Sequence, residues 1–155
     1  MGLFSSKPVP VRGQVPAGRV RLGVAGFGLS HHTQRARSIA EEIVKAHPDQ
    51  FESWFYFDSA GYRGEGGFLP QLKSELSQDQ QEKFAAKNSS PFCWLEYPDG
   101  KKEALGGRDD FCDWVNNPDN EFSNKFAANS TLKELAITMP RIGELWVDET
   151  PGTAK

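Results

Sequence analysis

Two small groups of residues are of types that do chemistry. Ser30, His31, His32 and Thr33 form an unbroken run, and Cys93 and Cys112 are the only thiols in the 155 residues. A serine hydroxyl has no thiolate-like anion near neutral pH, so the simplest use of Ser30 is to cap a helix. The imidazoles of His31 and His32 could titrate, bind a metal or contact a partner. Adjacent histidines do not share one helix face, and no third ligand is placed beside them, so no metal site is expected. The cysteines lack C-x-x-C spacing and are too few for a disulfide framework, which points to a reducing compartment. Each is expected to act as a small buried hydrophobe, Cys93 in a strand and Cys112 in a helix.

The elements that must position these residues follow from the apolar pattern. Val20–Ala25 is short and apolar enough for a buried strand. Ala36, Ile39, Ala40, Ile43 and Val44 then recur at the spacing of one helix face. The chain over residues 26–37 is therefore a strand-to-helix turn with Ser30 at the N-cap, and the helix over roughly 30–46 ends at His47-Pro48. Residues 51–58 are aromatic enough for a second strand. Gly61, Gly64, Gly66 and Gly67 follow without a phosphate-loop pattern, and read as a flexible connection. Phe68, Leu69, Leu72 and Leu76 mark a helix face that continues toward Lys87. Residues 92–97 and 101–105 read as strands joined by a Pro98-Asp99-Gly100 turn. Asp109 and Asp110 open a helix carrying Phe111, Trp114 and Val115, their charges suited to the positive end of its dipole.

Three segments of this β-α-β-α-β-β-α chain resemble glutaredoxin motifs. Ser30-His31-His32-Thr33-Gln34-Arg35-Ala36-Arg37 resembles C-P-Y-C-x-R-A-K with both cysteines replaced. Ser89-Ser90-Pro91-Phe92 resembles the T-V-P segment with its cis-proline, and Gly106-Gly107-Arg108-Asp109-Asp110 resembles the G-G-x-D-D turn. The resemblance spans roughly Arg19 to Asn116. It implies a thioredoxin-like α/β fold, a four-stranded mixed sheet flanked by helices, with Pro91 cis. It also implies a glutathione groove at Ser90, Pro91, Gly107, Arg108, Asp109 and Asp110, although these residues also shape the fold. A lysine common in the family three residues before the first cysteine is Phe27 here, which removes one carboxylate partner. Ser30 and Thr33 cannot cycle between dithiol and disulfide. The resemblance thus implies a redox-inactive binding or adaptor domain, with glutathione as the possible ligand and no other cofactor. The alternatives are an atypical glutathione-dependent oxidoreductase or transferase using Cys93 or bound glutathione, and an accessory subunit of a large assembly.

The glutaredoxin-like domain covers residues 19–117, between an arm over 1–18 and an extension over 118–155. Pro8, Pro10 and Pro16 with Gly13 and Gly18 exclude a helix or central strand in the arm. The net charge of −3 hides an asymmetry: six of the 18 basic residues precede Glu41, leaving 12 to face all 21 acidic ones, a net of −9 for the body. Met1-Gly2-Leu3-Phe4-Ser5-Ser6 fits the pattern for myristoylation of Gly2. With Lys7, Arg12, Arg19 and Arg21 it predicts peripheral attachment to an anionic cytoplasmic membrane face. An organelle transit peptide is the rival reading, opposed by the prolines. The arm has no interleaved aromatics, so nucleic acid is not an expected partner; a protein partner is, though not identified. In the extension, a polar loop runs to Asn129. Thr131-x-x-Glu134 reads as a capping box for a short helix with Leu132, Leu135 and Met139, ended by Pro140. Ile142, Leu145, Trp146 and Val147 are apolar enough to pack on the domain or a partner.

Overall fold

The computed structural model describes residues 10–138. Gly2, Lys7, Met139, Pro140 and the apolar positions Ile142, Leu145, Trp146 and Val147 lie outside the described residues.

Strand β1 (Val20–Ala25) is central and leads into helix α1 (His31–Ala46). β2 (Phe51–Tyr56) lies parallel to β1 on one side; β3 (Phe92–Glu96) lies antiparallel on the other and pairs with β4 (Lys102–Gly106), giving the order β2-β1-β3-β4. The register shifts between Cys93 and Trp94, where Cys93 faces Gly106 and Trp94 faces Ala104. This is the expected four-stranded mixed sheet.

Because strand side chains alternate, the sheet divides its apolar residues between two cores. Leu22, Val24, Phe51, Phe55, Cys93 and Leu95 pack with Ala36, Ile39 and Ile43 of α1, and with Phe111 and Val115 of α5 (Arg108–Asn116). Trp54, Tyr56, Phe92 and Trp94 face the other way. They pack with Tyr62 of α2 (Ser59–Tyr62), with Phe68, Leu69 and Leu72 of α3 (Phe68–Ser74), and with Phe84, which closes α4 (Gln78–Lys83). α6 (Ser123–Ala127) and α7 (Ser130–Leu135) add Phe126 and Leu132 to the first core. Helices thus cover both faces of the sheet.

Several local expectations change. The second strand stops at Tyr56, because the Asp58 carboxylate accepts from the amides of Ala60 and Gly61 and starts α2 inside the glycine-rich connection. The helix expected to run on from Phe68 breaks into two, because Ser77 caps a new helix through the amide of Gln80. The polar run before Asn129 contains α6, and α7 is capped by Asn129 rather than Thr131, since the Asn129 side chain accepts from the amide of Leu132 at 2.9 Å.

The largest correction concerns the arm. Over residues 10–18 it lies on the body, without helix or strand, at the end of the sheet where β1 begins. The Arg12 guanidinium pairs with Glu75 and Glu96, each at 2.5 Å, and Arg21 pairs with Glu52 at 2.7 Å and Glu96 at 3.4 Å. Both arginine side chains are buried. Two of the four cations assigned to a membrane surface are therefore held inside the protein, because the buried carboxylate of Glu96 on the second face of the sheet demands them. No helix among the described residues is long and apolar enough to cross a membrane.

Candidate functional site

The β1-to-α1 turn is shaped by small side chains. Ser30, extended at φ −79° and ψ 128°, caps α1 as expected, its hydroxyl accepting from the amide of Thr33 at 3.4 Å. Gln34 braces the turn by donating to the carbonyl of Gly28 at 2.8 Å. Gly26 must be glycine, because a Cβ there would lie 2.3 Å from Ser90 Oγ and 2.8 Å from Thr33 Oγ1. That close approach lets Ser90 lock the turn: its hydroxyl accepts from the amide of Phe27 at 2.8 Å and meets Thr33 Oγ1 at 3.0 Å. Thr33 is fully buried in this lock and has a structural role. The Ser90–Pro91 peptide bond is cis, as expected.

Residues 87–89, just before this bond, are held carbonyl by carbonyl. Lys73 donates to Lys87 at 2.5 Å, Arg63 to Asn88 at 3.2 Å and the Tyr62 hydroxyl to Ser89 at 2.8 Å. Burial pushes the Tyr62 phenol well above its ordinary range, so it keeps the proton it donates near neutral pH.

The opposite wall is the G-G-R-D-D turn. The amide of Gly107 donates to Asp110 Oδ2 at 2.8 Å, and Lys87 Nζ sits 3.3 Å from the same oxygen. Gly106, at φ 119°, leaves room for that carboxylate; a Cβ would lie 2.4 Å from it. Arg108 is buried, its guanidinium bound to Asp109 at 2.9 Å and to the carbonyl of Thr138, so it ties this wall to the C-terminal extension.

Between the walls lies an open groove of about 180 Å³, bounded by His32, Lys87, residues 89–91 and residues 107–110. All six residues that the resemblance assigns to a ligand groove line it, together with one residue of the degenerate turn, His32. Ser30, His31 and Thr33 do not line it; the His31 ring packs on His32 with centroids 4.0 Å apart. Lys87, expected only as the end of a helix, supplies a cation. Phe27 lies beneath another, the Arg63 guanidinium, 4.6 Å from its ring centroid. Lys87 and the two aspartates bring both signs of charge to the groove, which suits a small zwitterionic ligand.

Neither thiol belongs to the groove. Cys93 and Cys112 are both fully buried. Burial, reinforced by the neighbouring Cys112, pushes the Cys93 thiol well above its ordinary value, and burial takes Cys112 up to about 11. Neither is then a thiolate near neutrality. Among the described residues no group of three or more His, Cys, Asp and Glu side chains is placed to hold a metal.

Comparison with protein-family models, with curated proteins and with solved structures gives no match to the chain.

Proposed function

We propose that this chain is a glutaredoxin-like, thioredoxin-fold binding domain that lacks dithiol chemistry and takes a small zwitterionic peptide of the glutathione class in its groove. The observation that carries the reading is convergence. Segments around residues 32, 90 and 108, far apart in sequence and each resembling a family motif, border one groove. The strand order and the placing of Ser30 at the N-cap of α1 agree with it. An oxidoreductase using Cys93 is the weaker reading, since that thiol is buried on the core side of β3. The domain serves as an adaptor held at an anionic cytoplasmic membrane face by acylated Gly2 together with Lys7 and Arg19.

Calorimetric titration of the full chain with reduced glutathione tests the groove. The expected result is saturable 1:1 binding that weakens about tenfold in Lys87→Ala, the size of one charge-assisted hydrogen bond of roughly 1.5 kcal/mol. Heat no different from dilution up to millimolar glutathione refutes the ligand class.

A further inference from the structure

At the other end of the sheet the arm is bound in the manner of a peptide ligand. Arg12 is its anchor. The guanidinium carbon lies 5.6 Å, 5.9 Å and 5.7 Å from the ring centroids of Trp54, Phe68 and Trp94. Nε and one terminal nitrogen reach Glu96 and Glu75, each at 2.5 Å, and the indole of Trp94 donates to the same Glu96 oxygen at 2.9 Å. Only 7% of the Arg12 side chain remains accessible. Its neighbours are bound far less: Val11 is 92% exposed, and Gly13 and Gln14 are exposed. Two further polar contacts hold the backbone path, Arg21 donating to the carbonyl of Gly13 at 2.7 Å and Gln14 to that of Pro98 at 3.4 Å. Val15 fills an apolar position. A deep anchor, exposed flanks and no strand pairing describe docking rather than continuation of the fold.

We infer that the socket formed by Trp54, Phe68, Trp94, Glu75 and Glu96 is a recognition site for an arginine-bearing extended peptide, occupied in cis by Arg12 and open in trans to a partner segment of that chemistry. Charge complementarity decides the class. With Arg12 withdrawn, the carboxylates of Glu52, Glu75 and Glu96 face only Arg21 and Lys102 among the described residues, the latter 3.6 Å from Glu75, so these five groups carry one negative charge in excess. Buried Glu96 then keeps only the 3.4 Å contact with Arg21, which Glu52 shares, and the Trp94 indole, and a buried carboxylate so paired favours a second cation. Three aromatic faces together with two acceptors in a fork select a flat guanidinium over an ammonium. A cleft of about 380 Å³ runs between the arm, residues 10–15, and Gln71, Tyr97, Pro98 and Lys102 of the body, so the arm follows a channel an extended chain can occupy. The cis arm competes at a millimolar-scale effective concentration, so partner binding is masked until the arm is displaced. This inference is independent of the groove reading, since it involves none of the groove residues.

The test uses the full chain as wild type, Arg12→Ala and Arg12→Lys, with a synthetic peptide of residues 8–18 as probe and tryptophan fluorescence as readout, Trp54 and Trp94 being the reporters. Saturable binding is expected to folded Arg12→Ala, at least tenfold tighter than to wild type, and to be lost when the arginine of the peptide is replaced by alanine. Arg12→Lys keeps the charge if the alanine variant fails to fold, and binding to it is expected to lie between the other two. Absence of binding to either folded variant overturns the proposal and leaves Arg12 as a clamp. A wild-type dimer in sedimentation that dissolves in the Arg12 variants also overturns it, by making a second copy the occupant.

Discussion

Replacing Ser30 by cysteine puts a thiol at the N-cap of a 16-residue helix that has no acidic residue in its first turn. The helix dipole at this end favours an anion by about 0.3–1 kcal/mol, and up to about 2 kcal/mol where solvent is partly excluded. One pKa unit corresponds to about 1.4 kcal/mol. The introduced thiol, ordinarily near about 8.5, is therefore expected to titrate at about 7–8. The structure makes the measurement clean, because Cys93 and Cys112 are both buried with raised pKa values and stay protonated while the introduced group ionises. Thiolate absorbance at 240 nm, followed from pH 5 to about 9 with wild type as the blank, gives the value directly. Titration at or above about 8.5 refutes the argument that the turn is electrostatically competent and lacks only its sulfur. A titrating signal in wild type over the same range refutes the burial of the native thiols. If the groove binds glutathione, the Ser30→Cys variant should also reduce a glutathione mixed disulfide: the introduced thiolate attacks the glutathione sulfur, the substrate thiol leaves, and a second glutathione thiolate resolves the new protein–glutathione disulfide, releasing oxidised glutathione.

Gly26→Ala is expected to cost about 1–3 kcal/mol in urea unfolding, the usual penalty of overpacking, and combination with Ser90→Ala should cost less than the two changes summed, because Ser90 Oγ is the nearest clashing atom. Arg12→Ala breaks a buried charge pair, which costs about 3–5 kcal/mol; Arg21 still reaches Glu96, so a loss at the lower end, about 3 kcal/mol, is expected from the unfolding midpoint, and no loss would remove the arm from the fold. The stability that Cys112 contributes should be fully present below pH 9.0 and be lost as the pH rises from there through about 11, because folded Cys112 holds its proton more tightly than the unfolded chain; urea midpoints should show a shallower fall over that range in Cys112→Ala. Acylated protein should sediment with anionic vesicles and its Gly2→Ala counterpart should not. With only Lys7 and Arg19 available, charge should add about 2 kcal/mol, roughly 30-fold, and equal binding by both forms would refute the anchor.

The groove was legible from sequence where local chemistry sets local shape. The turn around Ser30 announces itself by a switch from a strand-like run to helix periodicity, and the two later motifs are short segments whose roles are carried by backbone and carboxylate. The α2, α4 and α7 starts carried readable caps in Asp58, Ser77 and Asn129, hidden by glycine-rich or polar surroundings. Arg12 was not legible. A count of charges treats every arginine in a proline-rich arm as solvated, whereas the partners of this one, Glu75 and Glu96, lie 63 and 84 residues away and are brought to it only by the fold. Lys87 was missed for a related reason: its value to the groove comes from Asp110, across a 23-residue separation that no periodicity spans.

Strand β1 receives the arm at its first residue and delivers the Ser30 turn beyond its last. Six residues of extended chain measure about 20 Å, so the docked arm and the groove are kept at opposite poles by a rigid central strut. The Arg12 anchor fixes the arm to one pole instead of letting it swivel. Changes at the arm and changes at the groove therefore act on opposite ends of the same strand, with the whole of β1 between them.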